Sequence, residues 1–295
     1  MWLLVSSVAY LFNAISMAVN KSLLNKSIPN PAVYTFFITI LGLLAFVLAP
    51  FGLYWIGTNF LLISIVAGLC YTFALLTLFK ALMYDEVSRV TPMVGSWQPI
   101  FVFLLPFVLI GERLALNQIF GFVLILIGGY LITKHWEKVR QNNYKLISLA
   151  ILSSLLFALS FVISKYLFDQ VGFISGFVWT RIGSFIGALI LLLWAENRKA
   201  IFKNVGSSGQ QTTLLFIGGQ LAGGLYFILL NWAISIGSVT LINAMQGMQY
   251  VFLFFIVLLL SKKHPEWLKE NTSKKILLQK IFSIVLIGIG LFIIT

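Results

Sequence analysis

The 295-residue sequence contains few charged residues and a single cysteine. Charged residues make up 9% of the chain, against about 25% in soluble proteins, which excludes an ordinary soluble domain. Cys70 has no second cysteine to pair with, and the two histidines, His135 and His264, are distant, so no metal site is indicated. The sequence also lacks a glycine-rich phosphate loop, a serine–histidine–aspartate set and paired carboxylates. We therefore expect no enzymatic activity, no metal and no cofactor.

Hydrophobic residues are abundant, at 60% of the chain, and the mean hydropathy is +1.01. A helix needs roughly 20 apolar residues to cross a membrane. The sequence offers ten such runs, at about 2–24, 32–54, 59–82, 89–110, 116–133, 146–168, 173–194, 212–235, 238–260 and 276–294. We therefore predict an all-α integral membrane protein with ten transmembrane helices, multi-pass in a bacterial or archaeal plasma (inner) membrane.

The order of the apolar runs repeats after the fifth run. Matched residues include Leu11 with Leu155, Ser16 with Ser160, Phe36 with Phe177, Gly95 with Gly247 and Gly128 with Gly290. We therefore predict two five-helix repeats, residues 1–140 and 141–295. Because five is odd, the second repeat enters the membrane from the opposite side, which makes the repeats inverted. Inverted repeats recur in secondary transporters, whose substrate site lies at the repeat interface.

The net charge of +12 comes from short loops between apolar runs. This pattern indicates cytoplasmic loops, not nucleic-acid binding. Apart from Arg113, Lys165 and Arg181, every lysine and arginine lies on the side that holds the loops after the odd-numbered runs. The positive-inside rule then places both termini outside the cytoplasm.

The fourth apolar run contains three prolines at a spacing of seven, Pro92, Pro99 and Pro106. A proline inside a helix frees a backbone carbonyl and bends the axis, which a membrane tolerates only where neighbours satisfy that carbonyl. In the repeat register the ninth run has Ala244, Val251 and Leu258 at these positions. We therefore predict that the three prolines bend this helix and serve a mobile or gating role.

The fourth run ends in the turn Gly111-Glu112-Arg113-Leu114, and Gln118–Gly121 then opens a glycine-rich run. Together with the ten runs and short loops, this pattern resembles the drug/metabolite transporter superfamily, most closely its EamA-type exporters. The resemblance implies a small-metabolite exporter or exchanger with a central cavity. It also implies cytoplasmic termini, in conflict with the charge pattern, which we follow here.

Polar residues inside the runs are the candidates for substrate contact. The first run carries Asn13, Ser16 and Asn20 at helical spacing, and the sixth carries Ser160 and Ser164. The ninth run carries the most polar stretch, with Asn243, Gln246, Gln249 and Tyr250, and the fourth has Trp97 and Gln98 at equivalent positions. Carboxamides both donate and accept hydrogen bonds, which suits a polar solute. Hydrogen bonding and packing between helices are the alternative role.

Arg181 lies near the middle of the seventh run, where a charge is rare and often functional. Two roles are open for it: a counter-charge for an anionic group of the substrate, or a side chain that reaches the membrane interface or a carbonyl cluster. Tyr71, Tyr226 and Asn231 complete the cavity candidates.

All eight acidic residues lie at run ends or in loops. Small multidrug-resistance proteins of the superfamily use a membrane-embedded glutamate, so proton-driven export of organic cations is disfavoured. The sequence therefore predicts export or exchange of an amino-acid-like or other neutral, zwitterionic or anionic solute by alternating access. The alternatives are a flippase for a lipid-linked substrate and a non-transporting scaffold. The expected partners are the small-molecule substrate and the lipid bilayer, with the protein a monomer or homodimer.

Overall fold

A computed structural model describes residues 1–23, 30–84, 87–133, 144–203, 210–263 and 274–294. These residues form helices and their connections, with no strand among them, which confirms the predicted all-α class. Two of the predicted site residues, Asn20 and Pro92, have side chains that lie outside the described part.

The described part contains twelve α-helices and one 3₁₀ segment, Gly42–Phe51. The helices are α1 Trp2–Leu23, α2 Pro31–Leu41, α3 Thr58–Leu82, α4 Val87–Leu109, α5 Leu116–Thr133, α6 Tyr144–Val171, α7 Phe173–Leu191, α8 Ala195–Lys203, α9 Gln210–Ile236, α10 Val239–Ala244, α11 Gln246–Lys263 and α12 Lys274–Ile294.

Seven segments of the described part are long and apolar enough to cross a membrane. They are Trp2–Val19, Pro31–Phe51, Thr58–Leu82, Tyr144–Val171, Phe173–Leu191, Ile217–Ile236 and Val239–Ile256. Three further apolar helices are shorter, at Met93–Leu109, Leu116–Leu131 and Leu278–Ile294. The chain is therefore a multi-pass membrane protein by length and composition, and the full count of ten spans stays a prediction.

Two of the predicted runs are not single α-helices. The second run begins as α2, capped by the Asn30 side chain on the Ala32 N–H, and continues as the 3₁₀ segment. The ninth run is interrupted at Met245, between α10 and α11. Asn243 therefore lies in one helix, and Gln246 and Gln249 lie in the next. By contrast α4 is one continuous helix despite its prolines, with Pro99 and Pro106 buried.

The chain divides into two compact units, and each takes helices from both predicted halves of the sequence. The first unit contains α1, α5 and α9 to α12. The second unit contains α2 to α4, the 3₁₀ segment and α6 to α8. The sequence repeats therefore remain a prediction about the order of the helices, and the compact units follow a different division.

In the first unit, α1 packs along α9 and also against α11, and α5 packs along α12. In the second unit, α6 packs along α3 and also against α4, while α7 packs on α3 and on the 3₁₀ segment. A three-helix arrangement thus occurs once in each unit. In each case the first helix of one predicted repeat packs on the third and fourth helices of the other repeat.

The pair α5 and α12 is joined by close backbone contacts at glycines. A Cβ atom on Gly121 would lie 2.7 Å from the Gly290 carbonyl oxygen, and one on Gly128 would lie 2.9 Å from that of Ser283. The two helices are therefore antiparallel. In the register that pairs Gly128 with Gly290, Gly121 pairs with Ser283. Exchanging the two helices therefore converts the contact of Gly121 with Gly290 into the contact of Ser283 with Gly128. This is the self-complementary contact that a two-fold relation produces.

Candidate functional site

Two of the predicted carboxamides meet in the first unit. The Asn13 Nδ2 of α1 donates a hydrogen bond of 2.6 Å to the Gln249 Oε1 of α11. Gln249 is only 1% exposed, and its own amide nitrogen donates to the sulfur of Met17. We call Asn13 and Gln249 the amide pair. It lies near the middle of α1, where hydrogen bonds between helices contribute about 0.6 kcal/mol on average.

Tyr10 lies one turn before the amide pair and was not predicted from the sequence. Its hydroxyl donates a hydrogen bond of 2.9 Å to the Ile242 carbonyl oxygen in α10. In an unbroken helix that carbonyl would accept from the N–H of Gln246, but the helix is interrupted between these residues. Tyr10 therefore satisfies a carbonyl that the interruption leaves without its helical donor, as an apolar surrounding requires.

Two more tyrosines lie beside Tyr10. The ring of Tyr226 in α9 is 5.9 Å from that of Tyr10, measured between centroids. Tyr250 follows Gln249 of the amide pair on α11, the helix that packs against α1. We call these three residues the tyrosine cluster. The Tyr250 hydroxyl oxygen is buried and has no hydrogen-bond partner among the residues that the structure describes.

The remaining polar contacts of α1 tie it to its neighbours. The hydroxyls of Ser6 and Ser7 donate to the sulfurs of Met245 and Met248, at 3.1 and 3.7 Å; Met245 is the site of the helix interruption and Met248 lies in the first turn of α11. The hydroxyl of Ser16 donates to the Gly219 carbonyl of α9 at 2.8 Å. This contact is the helix-to-helix bond that was the alternative role for Ser16.

Other predicted residues of the first unit bond within their own helices. The side-chain amide of Asn231 donates to the Phe227 carbonyl at 2.9 Å, and that of Asn243 donates to the Val239 carbonyl at 2.8 Å. Both side chains are buried. Gln246, at the first position of α11, is half-buried. None of these contacts tests whether the residues touch a substrate.

Arg181 of the second unit is buried, at 3% exposure, between aromatic rings. Its guanidinium carbon lies 5.0 Å from the ring centroid of Tyr71 in α3 and 5.2 Å from that of Phe177 in α7. Its Nη2 donates to the Thr180 hydroxyl at 3.3 Å. A central arginine costs a membrane helix about 2.5–3.5 kcal/mol, and a desolvated cation–π contact returns about 2 kcal/mol. The two rings therefore offset part of the cost of burying this charge.

The structure thus brings together two separately predicted residues, Tyr71 and Arg181, and adds Phe177. Tyr71 also packs its ring against Phe157 of α6, with centroids 5.9 Å apart. In the first unit, Tyr226 of α9 packs its ring against Tyr10 of α1. The sequence signal for Phe177 was its match to Phe36 in the repeat register, which did not point to a cation.

The other predicted residues of the second unit are spread over α4 and α6. Ser160 and Ser164 are buried on α6. Trp97 is exposed, at 37%, and Gln98 is half-buried. The serines that link α6 to its neighbours are two that were not predicted. Ser153 donates to the Ala74 carbonyl and Ser154 to the Val94 carbonyl, both at 2.9 Å.

A separate pocket of about 450 Å³ opens in the second unit. It is lined by Asn30, Pro31, Ala32, Leu76, Lys80, Met83 and Asn197. Asn30 already caps α2, and Asn197 donates to the Leu191 carbonyl at 3.3 Å. None of the predicted site residues lines this pocket. Within the described residues, no group of three or more histidine, cysteine or acidic side chains is placed to hold a metal ion.

Comparisons with known proteins give one family and one fold. The model of the EamA-like transporter family matches residues 1–134 and 145–270, one stretch in each predicted half. A solved crystal structure resembles this chain with a TM-score of 0.70 and 17% sequence identity, covering 99% of this chain and 95% of its own. That likeness shows the fold alone. A search of curated proteins found no match.

Proposed function

Because the chain belongs to the EamA-like transporter family, we propose that it is a secondary transporter that exports or exchanges a small polar or amphipathic solute by alternating access. The resemblance drawn from the sequence is confirmed by the family match. A membrane transporter acts on a small molecule in a lipid bilayer, and the substrate class and the mechanism are the parts proposed here.

The buried polar groups of α1 and α11 carry this proposal. An apolar bundle does not need amides and phenols at the middle of its helices, and each costs free energy unless it is paired. The amide pair and Tyr250 lie at this depth on adjacent helices of the first unit. Such groups suit the recognition of a polar solute that passes through the protein.

The proposed substrate is neutral, zwitterionic or anionic, for example an amino-acid-like metabolite. None of the buried polar or charged side chains in the described part is acidic, so they offer no counter-charge to an organic cation. Arg181 is the buried charge among them, and its guanidinium suits a carboxylate or another anionic group. Substrate contact by Arg181 would replace or add to its contacts with the two aromatic rings.

Efflux from proteoliposomes tests the proposal. Purified protein is reconstituted in vesicles loaded in turn with radiolabelled alanine, glutamate, succinate, glucose or glycerol. We expect protein-dependent efflux of at least one of these solutes. Failure to move any of them would contradict the proposal, and movement of a fluorescent lipid-linked sugar instead would favour the flippase.

Substitution of Arg181 tests the anionic part of the substrate class. Arg181→Gln removes the charge, and we expect it to abolish efflux of an acidic solute while the protein still inserts in the membrane. Arg181→Lys keeps a charge without the planar guanidinium and should retain partial activity. Unchanged efflux of an acidic solute by Arg181→Gln would show that Arg181 is structural.

A further inference from the structure

The Tyr250 hydroxyl has no role in the packing described above. Its oxygen is buried, and no hydrogen-bond partner for it lies among the described residues. A buried polar group without a partner costs about 1–3 kcal/mol, and native proteins contain few of them. Such a group in a binding protein needs an explanation, and a ligand that supplies the missing partner is one.

The polar neighbours of Tyr250 form hydrogen bonds with other residues of the protein. Gln249 bonds to Asn13 and to Met17, so the residue adjacent to Tyr250 is held in place. The Tyr10 hydroxyl donates to the Ile242 carbonyl. Among Tyr10, Gln249 and Tyr250, Tyr250 is therefore the residue whose side chain has no hydrogen bond to any described residue. The bonds of Gln249 hold this part of α11 in place.

We propose that the Tyr250 hydroxyl donates a hydrogen bond to the transported solute, and that the solute presents an uncharged oxygen to it, from a hydroxyl or carbonyl group. This inference rests on the proposed function and adds the chemistry of one end of the substrate. The phenol donates through its O–H, and the solute oxygen accepts.

The side chains around Tyr250 favour an uncharged group on the solute. Tyr10, Tyr226 and the amide pair provide phenols and carboxamides, and the buried polar side chains of the first unit carry no formal charge. A charged group would lose its hydration here and find no formal charge among these buried side chains, which is expensive in an apolar surrounding. The Lys280 ammonium of α12 lies 4.7 Å from the ring centroid of Phe254, one turn further along α11, and its side chain is half-buried. A hydroxyl or carbonyl oxygen loses little more than one hydrogen bond to water, and Tyr250 replaces it.

The pair of variants Tyr250→Phe and Tyr10→Phe tests the inference, because each removes one hydroxyl from the same cluster. Without solute, we expect the melting temperature of Tyr250→Phe to equal or exceed that of the wild type, since no bond to the described part is lost. Tyr10→Phe should melt lower, because the Ile242 carbonyl loses its donor. A clear loss of stability in Tyr250→Phe would show that its hydroxyl bonds to the protein, which would overturn the inference.

Transport supplies the second measurement. The efflux assay is repeated with the panel solute that the wild type moves, and the KM of Tyr250→Phe is measured. We expect the KM for glucose or glycerol, which carry hydroxyl groups, to rise about tenfold through the loss of one hydrogen bond. Wild-type efflux of alanine, glutamate or succinate alone, which carry no uncharged hydroxyl or carbonyl group, would contradict the inference. An unchanged KM in Tyr250→Phe, with wild-type efflux intact, would overturn the inference and leave the proposed function standing.

Thiol labelling gives a readout that needs no identified substrate. In a Cys70→Ala background, Tyr250→Cys is treated in membrane vesicles with 2-hydroxyethyl methanethiosulfonate, a small uncharged reagent that carries a hydroxyl group. Phe254→Cys, one turn further along α11 and buried, is the matched control. We expect labelling at position 250 and none at 254. An inert cysteine at 250 would overturn the inference, whereas labelling at 250 without efflux of any panel solute would contradict the proposed function instead.

Discussion

Tyr10 and Ser154 occupy the same position in the two predicted repeats, and both hydroxyls donate to a carbonyl of a neighbouring helix. The two bonds differ in what they satisfy. The Val94 carbonyl lies in the continuous helix α4, where the N–H of Gln98 is its helical donor, and the Ile242 carbonyl lies at an interruption. We therefore expect Tyr10→Phe to lower the free energy of unfolding by about 1–3 kcal/mol. Ser154→Ala should cost less, and equal losses in denaturant unfolding would contradict this account.

At this scale the sequence identified several residues that meet in space, and it missed their neighbours. Asn13 and Gln249, and Tyr71 and Arg181, stood out because polar side chains are rare in apolar runs. Tyr10 did not stand out, because its partner is a backbone carbonyl far along the chain, and no side-chain pattern marks such a carbonyl. Phe177 was hidden for a similar reason, since a phenylalanine in an apolar run is expected to pack rather than to face a cation.

The close contact between α5 and α12 depends on small residues at two levels along the helices, Gly121 with Gly290 and Gly128 with Ser283. A methyl group on Gly290 would lie 2.6 Å from the Ile125 side chain and 2.8 Å from the Gly121 carbonyl oxygen. We expect Gly290→Ala to lower the free energy of unfolding by about 1–3 kcal/mol, the usual cost of overpacking. Gly288→Ala on the same helix meets no atom within 4 Å and is the control.

Gly288→Ala should leave the stability unchanged or raise it slightly, because alanine is the better helix former by about 1 kcal/mol. Both variants are compared by thermal unfolding in the same detergent. Equal stability of the two variants would show that α5 and α12 do not approach each other as closely as described.

Hydropathy predicted where helices occur but not where they are interrupted. The sequence suggested a bend in the fourth run, because it has three prolines, yet α4 is continuous and the interruption lies at Met245 in the partner run. Proline signals a missing N–H within its own helix. The interruption at Met245 is instead accompanied by bonds from Ser6 and Tyr10 of α1, and such tertiary contacts leave no local sequence signal. Whether the prolines bend or gate α4 remains a prediction.

At the scale of the whole molecule, the distribution of lysine and arginine predicts the orientation. The basic loops should face the cytoplasm, which places both termini outside. A green fluorescent protein fused to the C-terminus should therefore remain dark in a bacterial host, and alkaline phosphatase fused at the same point should be active. Fluorescence with inactive phosphatase would show cytoplasmic termini, as the family resemblance implies.

The compact units also predict how the chain assembles. Neither predicted half contains a complete unit, because α1 packs on α9 and α11, while α6 packs on α3 and α4. Apolar helix faces that pack within one unit are therefore separated when the chain is divided between residues 140 and 141. We call this packing of the first helix of one repeat on helices of the other repeat the exchange of helices. The sequence repeats could not reveal it, since matched residues show which helices are alike and not which helices touch.

We expect residues 1–140 and residues 141–295, each produced alone, to be degraded or to aggregate, because each lacks the helices that cover its own. Produced together, with an affinity tag on one half only, the two should purify as a complex with a sharp thermal transition. The undivided chain is the control for yield. A single half that is stable and monodisperse would contradict the exchange of helices, because that half would then have to pack α1, or α6, within its own repeat.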